Sequence, residues 1–302
     1  MNLVVGATGR LGGDITRRLL EQGRQVRILV RHDSPSEQLV PMGLATSAQS
    51  LIDLGAQPVY GDLKVPGSLR KAVAGIETLV TTANSALRGG EDNPQTVDLE
   101  GNRSLIEAAE QAGVKHFVFV SALDSDVDDP ILFIRAKALT EQRLRDGDLE
   151  YTILAPSAFM EVWLPMVVGL PAAAGQPVTL VRGTRSRQAF ISQGDVAAFA
   201  VAVVGNPAAR NQRLVLGGPQ ALSWYDVVQK YEQSLGRPVE VQYVEIGEPV
   251  PGLGDQTSQI LSALEVSQTD HSGLDTTELA RTFDVQLTPL EEVIRRTLAS
   301  PA

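Results

Sequence analysis

Hydrophobic positions in the first half of the chain follow two alternating periods. Short apolar runs stand at Leu3-Val4-Val5, 26–30, 59–60, 78–80, 117–120 and 151–154, and they read as short strands of a buried sheet. Between them the spacing becomes helical. Leu11, Ile15, Leu19 and Leu20 form one apolar stripe that Gly23 closes, and further helices are predicted over 66–74, 94–113 and 131–145. Strand and helix repeated in this way predict an α/β protein with a doubly wound parallel sheet and helices on both faces.

The rhythm changes after Pro156. Shorter strands are predicted at 178–181, 214–216 and 239–244, separated by prolines, glycines and helices at 195–204, 223–235, 257–265 and 289–298. A Pro/Gly-rich stretch at 247–255 reads as a surface connection. The expected organisation is a doubly wound domain over 1–156, followed by a smaller α/β region over 157–302 that packs on the carboxyl edge of the sheet and interleaves with it.

Composition narrows the possible partners. The chain has 302 residues, 43% hydrophobic and 21% charged, which is ample for a folded core. Its net charge of −10 opposes general binding to nucleic acid or anionic lipid. With no cysteine and only His32, His116 and His271, neither a disulfide frame nor a Cys/His metal site is expected. The longest apolar stretch, 159–174, is interrupted by Glu161, Pro165 and Pro171, so no membrane span is predicted. No export segment is read at the start, and a cytoplasmic setting is expected.

The strongest chemical signal is Gly6-Ala7-Thr8-Gly9-Arg10-Leu11-Gly12. It follows the first strand and opens the first helix. Gly6 permits the tight turn, Gly9 lets backbone approach a pyrophosphate, and Gly12 lets the helix pack against the strand. The helix start adds free N–H groups and partial positive charge. The second strand ends in Leu29-Val30-Arg31-His32-Asp33. Arg31 stands where an acid would accept from a ribose 2′-hydroxyl, and Arg10 projects toward the same side. This pair favours NADP(H), while Asp33 keeps NAD(H) open.

These residues resemble the NmrA-like group of atypical short-chain dehydrogenases/reductases, a Rossmann family. The likeness continues through Tyr60-Gly61-Asp62-Leu63, the stretch 97–102, the stretch 112–121 ending in Ser121, 151–156, and 191–197, about two-thirds of the chain. The resemblance implies that Gly6, Thr8, Gly9, Arg10, Leu11 and Gly12 hold the cofactor together with Arg31. It places Asp62 and Leu63 beside the adenine, Ala83 and Asn84 beside the central portion, and Pro156 and Ser157 near the nicotinamide. The group includes reductases, redox-sensing regulators and assembly factors.

Catalytic members of the wider family use a serine, then a tyrosine and a lysine four residues apart on one helix. This chain keeps Ser121 and Lys137, but the position four before the lysine is Phe133. A phenyl ring cannot supply the proton, and loss of a positioned acid typically costs about 100- to 10,000-fold. Tyr60 and Lys64 repeat the spacing on the adenine side and read as coincidence. The resemblance leaves Lys137 to act in catalysis or to hold the ribose. Phe133, Phe159, Met160 and Trp163 are the expected substrate-side residues, suited to an apolar quinone or enone, although each also fits ordinary packing. The expected activity is NADPH-dependent reduction of a quinone, enone or other small carbonyl compound. The alternative is a non-catalytic NADP(H) sensor or assembly factor acting on a protein partner.

Overall fold

The computed structural model describes residues 1–32, 40, 45–85, 88–183, 186–266 and 270–299. Asp33 lies outside the described residues. Two compact units emerge. The first comprises Met1–Ala155, Val196–Val215 and Phe283–Val285, and the second comprises Pro156–Asp195, Leu216–Thr282 and Gln286–Ala302.

The first unit alternates β1 (Asn2–Val5), α1 (Arg10–Glu21), β2 (Val26–Val30), α2 (Ala48–Asp53), β3 (Gln57–Tyr60), α3 (Pro66–Val73) and β4 (Thr78–Thr81). After a wide helical segment, Pro94–Gly101, come α4 (Asn102–Ala112), β5 (His116–Val120), α5 (Leu132–Arg145) and β6 (Tyr151–Pro156). A second pair of strands, β7 (Val178–Val181) and β9 (Val241–Val244), flanks β8 (Gln212–Leu216) in the chain.

The main sheet has the order β3-β2-β1-β4-β5-β6-β8, and its registered pairs from β3 to β6 are parallel. Interior strands β1, β4 and β5 are buried almost throughout, as strands covered on both faces must be. Pro58 sits in β3, at the sheet edge, where its missing N–H breaks no ladder. Leu3, Val5, Leu79, Phe117, Phe119 and Ile153 form one core with Leu105 and Ile106 of α4. Strand order reverses between β1 and β4, which is the point where open α/β sheets bind ligands.

The helices Ala48–Asp53, Met160–Leu164 and Thr277–Thr282 were not expected from the sequence, and two expected elements differ in the structure. Residues 214–216, expected in the second region, belong to β8, the seventh strand of the main sheet. The helix expected over 94–113 is two segments. Asn93 caps its start by accepting from Gln95 and Thr96 backbone, and the first eight residues wind as a π-helix. Asn102 explains the wide turn: its side-chain amide donates to the carbonyls of Val97 at 3.4 Å and Asp98 at 2.9 Å, satisfying backbone that the α-ladder would otherwise use.

The second unit pairs β7 with β9 in parallel. Its core gathers Met160, Leu164, Phe190, Trp224, Tyr231 and Ile294. Asp195, in the first turn of the helix Gln193–Val203, accepts from the Thr288 backbone N–H at 2.7 Å and its hydroxyl at 2.6 Å. Among the described residues, no helix is long and apolar enough to cross a membrane.

One buried group ties the stability of the first unit to pH. His116 Nε2 lies 2.8 Å from Thr152 Oγ1, and that hydroxyl donates to the Ala209 carbonyl at 2.6 Å. The imidazole therefore donates through Nε2, and its buried Nδ1 has no hydrogen-bond partner among the described residues. Burial, helped by the charge of Arg210, pulls the His116 pKa from 6.5 down to about 4. Protonation thus favours the unfolded chain. Stability is whole above pH ~6.5 and falls as the pH drops through about 4, by roughly 3 kcal/mol for a shift of this size. Urea unfolding across pH 4–7.5 will show this loss, and His116→Gln, whose amide can still donate to Thr152, will flatten it. An unchanged pH profile would place the loss elsewhere.

Candidate functional site

The glycine turn closes at the carboxyl ends of β1 and β4. Gly6 has φ +86°, a conformation that favours glycine. A Cβ there would stand 2.7 Å from Thr82 Oγ1 and 2.9 Å from the Ala83 nitrogen. At Gly12 a Cβ would be 2.2 Å from the Gly6 carbonyl oxygen, so α1 can begin this close to β1 only with glycine there. Gly9 donates its N–H to the Gly6 carbonyl at 2.9 Å, and a Cβ at Gly9 would lie 3.2 Å from the same oxygen.

Gly9 is also the N-cap of α1, so no side chain accepts from the first turn, and that turn carries no acid. Its N–H groups and dipole are available to an anion. Leu11 is buried on the inner stripe of α1 and Arg10 is exposed. Thr8 is buried, with its carbonyl accepting from Thr46. The Ala83 N–H donates to Thr81 Oγ1 at 3.3 Å, and the Asn84 amide donates to the Thr82 carbonyl at 3.2 Å. The glycine cradle, which a Cβ at Gly6 or Gly12 would fill, and the uncapped helix start fit a dinucleotide.

The carboxyl ends of β2 and β3 carry a cluster of charges. Arg31 lies 2.6 Å from Asp92 Oδ2 and 4.0 Å from Asp62. Lys64 lies 2.6 Å from Asp92 Oδ1, and Arg88 lies 3.3 Å from Asp92 Oδ2. Burial raises the Asp92 pKa, but hydrogen bonds and charge from Lys64 and Arg31 outweigh it and hold the carboxyl at about 2. Asp62 accepts the Lys64 backbone N–H at 2.8 Å, which makes it a turn former after β3. Leu63 is buried in the core of the unit.

At the end of β5, Ser121 and Lys137 answer to different partners. Ser121 Oγ donates to Glu141 Oε1 at 2.5 Å. Glu141, nearly inaccessible, also accepts from Ser125 at 2.9 Å, Arg145 at 2.5 Å and Arg213 at 2.9 Å. Burial raises its pKa, and the Ser121 and Arg213 hydrogen bonds more than reverse that. Lys137, only 4% exposed, donates to the Val120 carbonyl at 3.3 Å and lies 3.6 Å from Asp98 Oδ1. The Asp98 separation is an ion pair, too long for a hydrogen bond. Asp98 Oδ2 accepts the Ser85 N–H at 2.9 Å. The rings of Phe119 and Phe133 flank the ammonium at 5.1 and 5.5 Å. Burial lowers the Lys137 pKa, opposed by the charges of Asp98 and Glu141.

The remaining expected residues belong to the second unit. Pro156 and Ser157 are buried there, and the Ser157 N–H donates to the Leu216 carbonyl at 2.8 Å. Met160 is 2% exposed in the core of that unit, while Phe159 and Trp163 are half-buried.

Asp92, Asp98 and Glu141 were not among the residues the sequence singled out. Only Glu141 left a trace, four positions after Lys137 and hence on the same helix face. Asp92 draws Arg31 and Lys64 from distant parts of the chain, and Asp98 draws Lys137 from α5.

Comparison with known proteins agrees with this geometry. Residues 6–207 match the family described as NAD(P)H-binding. The photosystem II assembly factor Ycf39 of Cyanophora paradoxa is 31% identical over 244 residues, covering 81% of this chain and 71% of that protein. An NAD(P)H azoreductase of Xenophilus azovorans is 30% identical over 246 residues, covering 82% of this chain and 77% of that protein. In fold, the chain is similar to the NADPH-dependent quinone oxidoreductase QOR2 of Escherichia coli complexed with NADPH, with a TM-score of 0.80 at 22% identity over 99% of this chain and 100% of that one. The glycine cradle at the sheet's switch point and the match that begins in it agree: this chain belongs to the NAD(P)H-binding family.

Proposed function

We propose that the protein is an NADPH-dependent reductase of quinones or enones, acceptors that take hydride without a side-chain acid at the carbonyl. The observation that carries this reading is an intact cofactor cradle combined with a phenyl ring, Phe133, one helical turn before Lys137. When bound, the cofactor supplies a hydride. The first turn of α1 holds the pyrophosphate, and Arg31 faces the 2′-phosphate. The charge of Lys137 is already met by Asp98 and its access is closed by burial. Its part is to hold the carboxyl ends of β5 and the Pro94–Gly101 segment in place, and the proton that completes reduction comes from water.

A non-catalytic role, in which the bound nucleotide supports the assembly of a partner, is the second reading. It is favoured by the likeness to an assembly factor and by the engagement of Ser121 with Glu141.

NADPH oxidation will be detected with benzoquinones, naphthoquinones or enones and not with simple aldehydes. Phe133→Tyr will add weak aldehyde reduction, since it restores a hydroxyl one turn from Lys137. Tight NADPH binding with no oxidation by any acceptor would favour the assembly role.

Cofactor choice is tested separately. Arg31→Ala will weaken NADPH by about ten- to a hundredfold, the loss expected for a charge-assisted contact of ~1.5–3 kcal/mol, and NADH far less. Equal small effects on both would make Arg31 a surface residue only.

The buried pair predicts a stability effect. Lys137→Met leaves Asp98 uncompensated and will cost about 3–5 kcal/mol. Adding Asp98→Asn will recover part of that loss in denaturant melts. Full additivity of the two changes would mean that the pair is not coupled.

A further inference from the structure

Asp92 collects three cations on one carboxylate. Its Oδ2 takes Arg31 at 2.6 Å and Arg88 at 3.3 Å, and its Oδ1 takes Lys64 at 2.6 Å. The side chain is only 10% exposed, and its carboxyl stays ionised far below neutral pH. Asp62 stands 4.0 Å from Arg31 and 3.9 Å from Lys64, and Glu91, fully open to solvent, 4.0 Å from Lys64.

The cations are not fully served by this arrangement. The second terminal nitrogen of Arg31, Nη2, is buried without a hydrogen-bond partner among the described residues. A guanidinium presents donors in a planar fork, and an anion with three free oxygens can use more of them than a carboxylate already shared between three cations. Three basic groups, drawn from the residue after β2, the turn after β3 and the loop before Pro94, thus form a seat for an anion. The chain's own carboxylate lies among them.

We propose that Asp92 is an internal counter-ion in the seat of the cofactor's 2′-phosphate, and that it limits the preference for NADP(H) over NAD(H). This rests on the reading that Arg31 faces the ribose 2′ position. The arriving phosphate competes with Asp92 for the same three cations and is repelled by it across a few ångströms of partly buried space, where charges are weakly screened. A 2′-hydroxyl suffers no such repulsion and can donate to the carboxylate. Arg31 and Asp92 therefore pull selectivity in opposite directions.

The test uses equilibrium binding of 2′,5′-ADP and 5′-AMP, fragments that differ only in the 2′-phosphate and undergo no redox chemistry. Calorimetric titration of the full chain is compared for the wild type, Asp92→Asn and Asp92→Glu. Asp92→Asn will tighten 2′,5′-ADP at least tenfold and change 5′-AMP less than twofold. Asp92→Glu, which keeps the charge, will stay within about threefold of wild type for both. Thermal unfolding will establish that the variants are folded, and Asp92→Ser replaces Asp92→Asn if the amide variant is not.

Weaker 2′,5′-ADP binding in Asp92→Asn, or equal changes for both fragments, would overturn the proposal and make Asp92 a scaffold for Arg31. The outcome is independent of turnover. A protein that binds these fragments as described but oxidises no NADPH keeps this inference while losing the reductase reading.

Discussion

The approach of α1 to β1 governs the rest of the first unit. Residue 12 can carry no side chain, because its Cβ would fall 2.2 Å from the Gly6 carbonyl oxygen. Gly6 itself is fixed at positive φ against Thr82 and Ala83. Together these contacts bring a helix start, stripped of any side-chain cap, to the carboxyl edge of the sheet where the strand order reverses between β1 and β4. Larger residues at either position would force the helix away, and the anion site made by its first turn would go with it.

A second constraint lies at the ends of β4 and β5, where charge is buried. Lys137 and Asp98 are almost inaccessible, and such a pair is sustainable only when each member keeps the other charged and the remaining polar atoms find partners. The Val120 carbonyl and the Ser85 N–H supply those partners. The wide Pro94–Gly101 turn carries Asp98 into this arrangement, with Asn102 taking up the carbonyls that the turn releases. Glu141 does the same for Ser121, Ser125 and Arg213. Ser121 and Lys137 are thus integrated into the framework of the first unit.

Much of this was legible from residue order. The strand runs at Leu3-Val4-Val5 and 117–120 and the stripe of Leu11, Ile15 and Leu19 follow from local periodicity alone, and the glycine spacing reports a steric requirement that no other residue meets. Residues 214–216 were legible as a strand, but not their place as β8 in the main sheet, since their sheet partner is some 60 positions away. The break at Gly101 was hidden for a different reason: it depends on one amide, Asn102, reaching back to carbonyls that any helical sequence contains. Arg31 was visible as a cation at a strand end, but its neutralisation by Asp92 was not. Asp92 reads only as a polar residue before Asn93-Pro94, and its role exists only once three separate segments converge.

The most direct test of the central claim is a crystal structure of the chain with NADPH. The account predicts pyrophosphate oxygens within hydrogen-bonding distance of the first-turn N–H groups of α1, over Gly9, with the 2′-phosphate against Arg31. A pyrophosphate bound away from that turn, or a crystal saturated with NADPH that leaves the glycine cradle empty, would contradict it.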